Sequence, residues 1–263
     1  MIVGLCYPSP GPNGDVDPAL LEVLKRTGIT HVRCDLHLAN PNVGAIIAKV
    51  RAAGLGLMPI IEYVPTASPQ QLADFANQIV TDYALDSIEV LNEPSRVMTP
   101  QQYHDILAAI GTAVKGKTRV LAAGEFLIAD RKGPRLKDWF AQAKLDPAWY
   151  DAVAIHPYRE PGTPWATRYE SRSAEYEVWK DQVPPGKPLI ITEVGWHIPG
   201  VDEEQQGVYI FEELSINQAL GLEAVYIYTN IADPAWDFGV FRTDWSPRPA
   251  ADWMTLFNQS LER

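Results

Sequence analysis

The feature that most constrains this chain is a regular alternation of short β-branched segments with longer amphipathic segments. Eight segments have the composition of strands, and they begin at intervals of 26 to 36 residues. They span residues 2–7, 31–36, 57–63, 87–93, 119–126, 152–158, 188–194 and 224–229. Strands that alternate with helices predict βαβ units and a parallel sheet.

Helical patterns fill the intervals between the predicted strands. We predict helices over residues 18–27, 43–53, 69–83, 100–114 and 203–220, and several begin with a capping residue followed by proline. Eight such units, with no ninth strand, predict a single (β/α)8 TIM barrel over residues 1–263. A doubly wound sheet would need a glycine-rich phosphate loop after its first strand, and proline interrupts the sequence Gly11-Pro12-Asn13-Gly14.

Charge and hydropathy narrow the classes of partner. The 22 Lys and Arg against 33 Asp and Glu give a net charge of −11, which argues against nucleic acid because phosphate binding needs a basic surface. No apolar run approaches the ~18 residues of a membrane span. Residues 1–6 are strand-like without a charged leader, so we expect no signal peptide in this chain, and secretion would require one removed upstream. We expect a monomer.

Several motifs of other enzyme classes are absent or misplaced in the sequence. Residues 111–118 match G-x-x-x-x-G-K-T, but a helix precedes them and a strand follows, the reverse of a phosphate-binding loop. No histidine pair has metal-ligand spacing, and no G-x-S-x-G elbow is present. We therefore expect no metal and no cofactor. Cys6 and Cys34 fall on neighbouring predicted strands, so a disulfide between them is possible.

Polar residues cluster at the carboxyl ends of the predicted strands, where barrel active sites lie. They are Arg33 in the second strand, Asn92 and Glu93 at the end of the fourth, His156 and Tyr158 at the end of the sixth, and Glu193 at the end of the seventh. Glu62 and Glu125 end the third and fifth strands and are candidate subsite residues.

The spacing of Glu93 and Glu193 predicts a class of chemistry. Eight strands at ~4.8 Å, tilted ~36°, give a barrel radius of about 7.5 Å, which leaves the two carboxyl groups roughly 5–6 Å apart. Retaining glycosidases need ~5–5.5 Å and inverting ones ~6.5–9.5 Å, so the estimate favours retention. Glu89 lies about 13 Å deeper by strand spacing, and we expect it to be paired structurally.

The ordered motifs resemble those of clan A glycoside hydrolases, and among these glycoside hydrolase family 39 and its endo-acting relatives. The resemblance rests on residues 89–94 (Glu-Val-Leu-Asn-Glu-Pro), 155–159 (Ile-His-Pro-Tyr-Arg), 191–196 (Ile-Thr-Glu-Val-Gly-Trp), 238–241 and 246–250. It implies a (β/α)8 barrel, Glu93 as acid/base and Glu193 as nucleophile. Many relatives have Trp where Leu91 stands and near the end of strand eight, where this chain has Tyr228.

The resemblance also implies roles for the surrounding residues. Asn92 would bind the sugar 2-hydroxyl, Tyr158 would orient Glu193, and His156 would bind substrate or hold Glu93. Arg33 beside Glu193 would favour the ionised nucleophile, while repulsion and burial would favour protonated Glu93. Aromatic contacts to sugar would come from rings in loops at the active face. We expect Tyr228, Trp196 and Trp236 to contact substrate, with Trp165 and Trp245 in the same loops.

The sequence thus predicts a retaining, endo-acting β-glycosidase that acts on a polysaccharide or oligosaccharide. Two alternatives stay open: a transglycosylase of the same clan, and a non-catalytic carbohydrate-binding barrel. An aldolase-type barrel is disfavoured because it needs a Schiff-base lysine on an inner strand, and the lysines fall on predicted helices and loops.

Overall fold

A computed structural model describes residues 1–7, 10–126, 136–158, 173–174, 176–177, 180–181, 183–198, 200–231 and 237–261 of the chain. Eight strands and seven α-helices lie within these residues. The strands are β1 (Ile2–Cys6), β2 (His31–Leu36), β3 (Gly56–Ile61), β4 (Ser87–Asn92), β5 (Arg119–Phe126), β6 (Ala152–His156), β7 (Leu189–Val194) and β8 (Ala224–Ile227). The helices are α1 (Pro18–Lys25), α2 (Val43–Ala52), α3 (Pro69–Tyr83), α4 (Pro100–Ala113), α5 (Leu136–Ala143), α6 (Glu203–Ala219) and α7 (Pro249–Leu261).

The strands form a closed barrel in which each strand pairs with its neighbour in the sequence and β8 returns to β1. All eight pairings are parallel. The prediction of a (β/α)8 barrel is therefore confirmed, and the predicted strands and helices differ from the observed bounds by no more than two residues at either end. The TIM-barrel arrangement brings the carboxyl ends of all strands to one mouth.

Capping residues determine where several helices begin. Ser68 precedes α3 and Thr99 precedes α4, and each forms a reciprocal capping box with the glutamine three residues later. The proline that follows each cap has its backbone preset for the first helical turn. Within the described part of the chain, no helix is long and apolar enough to cross a membrane.

Two hydrophobic regions hold the barrel together. A large cluster lies between the strands and the helices and contains most of the buried aliphatic residues. A smaller cluster fills the barrel interior, and it consists of Cys6, Met58, Leu121, Ala152, Ala154, Ile190, Ala224 and Tyr226. Tyr226 lies against Gly4, where an added Cβ would come within 2.4 Å of its ring. Gly4 thus makes room for the largest interior side chain.

The two cysteines are free thiols and do not form the disulfide that the sequence left possible. Cys6 pairs in register with Arg33, one residue before Cys34. Because successive side chains of a strand point to opposite faces, Cys6 belongs to the interior cluster and Cys34 to the outer one.

The turn after α4 lies between a helix and a strand, in the order that the sequence predicted. α4 ends at Ala113 and β5 begins at Arg119, so residues 111–118 connect a helix to a strand. In a phosphate-binding loop the order is reversed, with amides at a helix N-terminus.

Candidate active site

The end of β4 departs from regular strand geometry. Leu91 has φ 65° and Glu93 has φ 41°, in the left-handed region that side chains other than glycine rarely adopt. Leu91 is buried in the outer cluster, whereas both following residues reach the barrel mouth: Asn92 accepts a hydrogen bond from Arg33, and Glu93 contacts His156. The irregular backbone therefore presents Asn92 and Glu93 at the mouth together, which strict alternation would not do.

Arg33 links the site from β2. Its Nε and Nη2 donate to Glu89 at 2.6 and 2.9 Å, its Nη1 donates to Glu193 Oε1 at 2.7 Å, and Nη2 also donates to Asn92 Oδ1 at 2.8 Å. Burial alone would lower the pKa of Arg33, but Glu89 and Glu193 raise it well above its ordinary value. The guanidinium therefore stays charged and balances two buried carboxylates.

Glu193 is held from two directions. The Tyr158 hydroxyl donates to Glu193 Oε2 at 3.0 Å, while Arg33 donates to Oε1. Burial raises the pKa of Tyr158 well above its ordinary value, and the charge of Glu193 adds to the effect. The phenol is therefore a donor at neutral pH, and it orients Glu193.

His156 lies between the two predicted catalytic carboxylates. Its Nδ1 is 3.2 Å from Glu93 Oε1 and 3.6 Å from Glu193 Oε2. Its Nε2 is 3.1 Å from Thr192 Oγ1, whose hydroxyl is 3.3 Å from Glu89 Oε1. A carboxylate only accepts, so the Thr192 hydroxyl donates to Glu89 and receives Nε2–H of His156.

This chain of hydrogen bonds determines which protons the contact between Glu93 and His156 needs. Since Nε2 carries a proton, neutral His156 presents an unprotonated Nδ1 toward Glu93. The contact then requires one further proton, either on Glu93 or on Nδ1. In that arrangement a single proton lies between Glu93 Oε1 and His156 Nδ1.

Gly124 makes this arrangement possible. It pairs with Asn92 across β4 and β5, and its carbonyl accepts from Glu93 N at 2.7 Å. A Cβ at this position would lie 2.2 Å from Glu89 Oε1 and 2.7 Å from His156 Nε2. The missing side chain leaves the room in which Glu89, His156 and Thr192 meet.

Arg96 is a second cation beside Glu93. It lies one turn after Glu93, in the 3-10 helix Pro94–Arg96, and forms an ion pair with Glu93 Oε2. Burial raises the pKa of Glu93, but the hydrogen bonds and charges of His156 and Arg96 outweigh burial and hold this pKa below its ordinary value. This corrects the expectation that repulsion and burial would dominate at Glu93.

Three aromatic rings meet at the mouth. Tyr158, Tyr228 and Phe238 contact one another with centroid separations of 5.5 to 6.3 Å and steep interplanar angles. Tyr228 is half-buried and remains a predicted sugar contact. Phe238 also contacts His197, with ring centroids 5.3 Å apart, and the sequence analysis placed Phe238 in a motif but not among the sugar contacts.

Trp196 does not offer a ring at the mouth. It is only 1% exposed, and its ring packs against Tyr209 of α6 at 5.6 Å. Gln206 of α6 donates to its carbonyl, which ties the residue to the helix. This corrects the expectation that Trp196 contacts substrate: α6 covers the loop after β7, and the apolar ring turns into that contact.

Of the other tryptophans predicted in loops at the active face, the structure describes Trp245 alone. Trp245 is half-buried and lines a cavity beside α1 with Val23, Arg26 and Phe241, away from Glu93. Trp165 and Trp236 lie outside the described residues, as does the side chain of Glu125.

Two further carboxylates stand on the β2–β3 side of the mouth. Burial raises the pKa of Asp35 to about 6, and the charge of Glu62 adds to the effect. Burial also raises the pKa of Glu62, and its buried Oε2 has no hydrogen-bond partner among the described residues. Glu62 stays a predicted subsite residue. Glu89 is fully buried and paired with Arg33, as expected.

No family model matches the chain, and no curated protein matches it. Solved structures similar in fold include a family 39 glycoside hydrolase from the gut symbiont Bacteroides cellulosilyticus WH2, with a TM-score of 0.76 and 16% sequence identity over 99% of this chain. The chain spans 64% of the length of that structure.

Two further structures match over nearly their whole length. The endoglucanase Cel5A from the hyperthermophilic Thermotoga maritima has a TM-score of 0.72 and 16% identity, covering 96% of each chain. A GH128 (subgroup II) endo-beta-1,3-glucanase from Sorangium cellulosum has a TM-score of 0.72 and 15% identity, covering 97% of this chain and 98% of that chain. The resemblance read from the motifs is therefore matched by a shared barrel fold.

Proposed function

We propose that this chain is a retaining glycoside hydrolase that cleaves β-glycosidic bonds within a polysaccharide or oligosaccharide. The observation that carries the proposal is the pairing of Glu93 and Glu193 at the mouth. Their side chains are each about one-tenth exposed, and a carboxylate oxygen of one lies within 4.8 Å of one of the other. This close spacing suits a double displacement, in which no water has to fit between a carboxylate and the sugar.

In the first step Glu193 attacks the anomeric carbon and forms a glycosyl ester. The glycosidic bond breaks, and the departing oxygen takes the proton that Glu93 shares with His156. Arg33 and Tyr158 hold Glu193 in place for the attack.

In the second step water replaces the departed sugar. Glu93, now without its proton, removes one from water, and the water oxygen attacks the anomeric carbon and releases Glu193. Asn92 is exposed at the mouth beside Arg33, and its amide would bind the 2-hydroxyl of the sugar. Such a bond strengthens as the oxocarbenium-like transition state forms.

The surroundings of the pair support the same assignment. Arg33 stabilises the ionised form of Glu193 that a nucleophile requires, and His156 contacts Glu93 at hydrogen-bond distance. The aromatic rings of Tyr228 and Phe238 provide apolar surface for the C–H face of a sugar. We propose that the substrate binds in an open groove and is cleaved within the glycan chain. We also propose that the protein is a monomer.

The test is product release from a panel of β-1,3-, β-1,4- and mixed-linkage polysaccharides. Wild type, Glu193→Gln and Glu93→Gln are compared by chromatography of the released sugars. We expect oligosaccharides from wild type, none from Glu193→Gln, and a rate reduced about 10²–10⁴-fold by Glu93→Gln. Monosaccharide released only from chain ends would contradict endo action.

The same panel separates the two alternatives. Products longer than the substrate would indicate a transglycosylase, which excludes water from the glycosyl ester more completely. Sugar binding without any product, at full occupancy, would favour a carbohydrate-binding barrel and overturn the proposed hydrolase.

A further inference from the structure

Three buried groups at the centre of the site each offer one atom of a kind that binds transition metals. The Nδ1 atom of His156 and one oxygen each of Glu93 and Glu193 all lie within 4.8 Å of one another. Zn²⁺ bonds to imidazole nitrogen and carboxylate oxygen at ~2.0–2.2 Å, so tetrahedral ligand atoms stand about 3.3–3.5 Å apart. The observed separations from Nδ1 are 3.2 and 3.6 Å.

The ligand atoms are also chemically ready. Thr192 receives Nε2–H of His156 and thereby leaves the Nδ1 lone pair directed at the two carboxylates. A hydrogen bond on the other ring nitrogen is the usual support of a metal-bound histidine.

The arginines of the site hold the opposite oxygens. Arg33 occupies Oε1 of Glu193 and Arg96 occupies Oε2 of Glu93, whereas His156 faces Oε2 of Glu193 and Oε1 of Glu93. Tyr158 also donates to Oε2 of Glu193, which has a second lone pair for a metal.

The charge of the site suits a dication. The three carboxylates of Glu89, Glu93 and Glu193 face the two guanidinium groups of Arg33 and Arg96, which leaves one negative charge once the proton between Glu93 and His156 is lost. Asp35, whose carboxyl group interacts with Glu89 and Glu193, adds to the negative charge among the described residues of the site. Zn²⁺ would then take the place of the proton shared by Glu93 and His156.

From this geometry we infer that Glu93, His156 and Glu193 form a binding site for Zn²⁺ and similar divalent transition metals. Bound metal occupies the proton donor and the nucleophile together, so it blocks the hydrolase reversibly. The metal site rests on contacts alone, whereas its inhibitory effect rests on the proposed function.

The binding test is isothermal titration of ZnCl2 into tag-free protein, compared with MgCl2. We expect one Zn²⁺ per chain and no comparable heat from Mg²⁺, because Mg²⁺ prefers oxygen ligands and retains its water. Glu93→Gln and Glu193→Gln keep the shape of the site but remove a charged ligand, and each should weaken Zn²⁺ binding at least about 10-fold. His104→Gln is the matched control, since His104 lies on α4 against the carbonyl of Ala143.

Two results would overturn the metal site: no heat at 1 mM ZnCl2, or Zn²⁺ affinity unchanged in both glutamine variants. His156→Ala removes the nitrogen ligand, and its thermal melt shows whether the variant is folded. If it is unfolded, the two glutamine variants alone test the metal site. Zn²⁺ binding by a protein that hydrolyses no glycan would leave the metal site standing and count against the proposed function. Hydrolysis at a rate that neither Zn²⁺ nor EDTA alters would support the proposed function and count against the metal site.

Discussion

Arg33 Nη1 and Glu193 Oε1 are joined by a hydrogen bond of 2.7 Å, and the same guanidinium binds Glu89 deeper in the barrel. One buried cation therefore serves two carboxylates that approach from β4 and β7. Removing this cation leaves both carboxylates buried without their counter-charge, which is costly inside a protein.

The first prediction follows from that contact. Arg33→Met should lower the free energy of unfolding by about 3–5 kcal/mol at pH 7, the usual cost of breaking a buried ion pair. Urea denaturation measures the change, with Arg26→Met, at an exposed position after α1, as the control. A loss below about 1 kcal/mol would mean that Arg33 is not the main counter-charge of the site.

The second prediction concerns the pH dependence of the acid. Glu93 must be protonated to act first, and Arg96 helps to lower its pKa. Arg96→Gln should raise the pKa of Glu93, so the descending basic limb of the kcat/KM profile moves to higher pH. Arg96→Lys keeps the charge and should leave the limb near its original position. An unchanged limb in Arg96→Gln would show that the ion pair does not tune Glu93.

Thr192 carries the third prediction, as a positioning residue for His156. Thr192→Val removes the hydroxyl at nearly constant volume, so His156 loses the partner that fixes its ring. A lost buried hydrogen bond of ~1–3 kcal/mol predicts a fall in kcat of about 5- to 150-fold, with a changed basic limb of the pH profile. Thr192→Ser should restore both. If serine fails to restore them, the methyl group and its packing are what matter.

A fourth prediction uses Gly124, whose added Cβ would meet Glu89 and His156. Gly124→Ala should destabilise the fold by about 1–3 kcal/mol through overpacking and should also abolish hydrolysis. Gly186→Ala is the control: its φ of 83° makes alanine strained, but no atom of the described residues lies within 4 Å of the added Cβ. That variant should lose stability and keep full activity, which separates a damaged site from a weakened fold.

The fold was predictable because each local signal agreed with the next. Alternating segments, capping residues and strand lengths all indicated βαβ units, and the observed bounds follow them closely. The meeting of Glu93, Glu193, Arg33 and His156 was predictable too, because a parallel barrel brings the carboxyl ends of its strands to one mouth.

The remaining parts of the site depend on details that a pattern does not contain. Thr192 and Gly124 act through contacts between strands, which depend on register. Arg96 acts through a short turn that begins from the left-handed backbone of Glu93. The Asn-Glu-Pro-Ser-Arg sequence does place Arg96 three residues after Glu93, which was an available signal. The predicted substrate contact of Trp196 was wrong because its position near Glu193 in the sequence does not reveal that α6 covers it.

Asp35 provides a fifth prediction, on stability. Burial raises its pKa to about 6 from an ordinary 3.8, so the folded state binds this proton more tightly than the unfolded state. Stability from Asp35 is therefore greatest below pH 4 and is lost as pH rises to 6. Asp35→Asn should raise the free energy of unfolding at pH 7 by about 1–3 kcal/mol, with little gain at pH 4.

Urea denaturation at both pH values measures this difference, with the exposed Asp82→Asn as control. An equal effect of Asp35→Asn at the two pH values would show that its carboxyl is not titrating between them. A loss of stability at pH 7 would show that the ionised form is favoured in the fold.

The central claim is that Glu193 attacks the sugar directly and forms a covalent intermediate. Proton NMR of the anomeric region, recorded from the first minute of hydrolysis of a cleaved β-linked oligosaccharide, tests it most directly. Double displacement predicts that the β-anomer of the new reducing end appears first and then mutarotates. Initial appearance of the α-anomer would show a single displacement by water and would contradict the assignment of Glu193 as nucleophile.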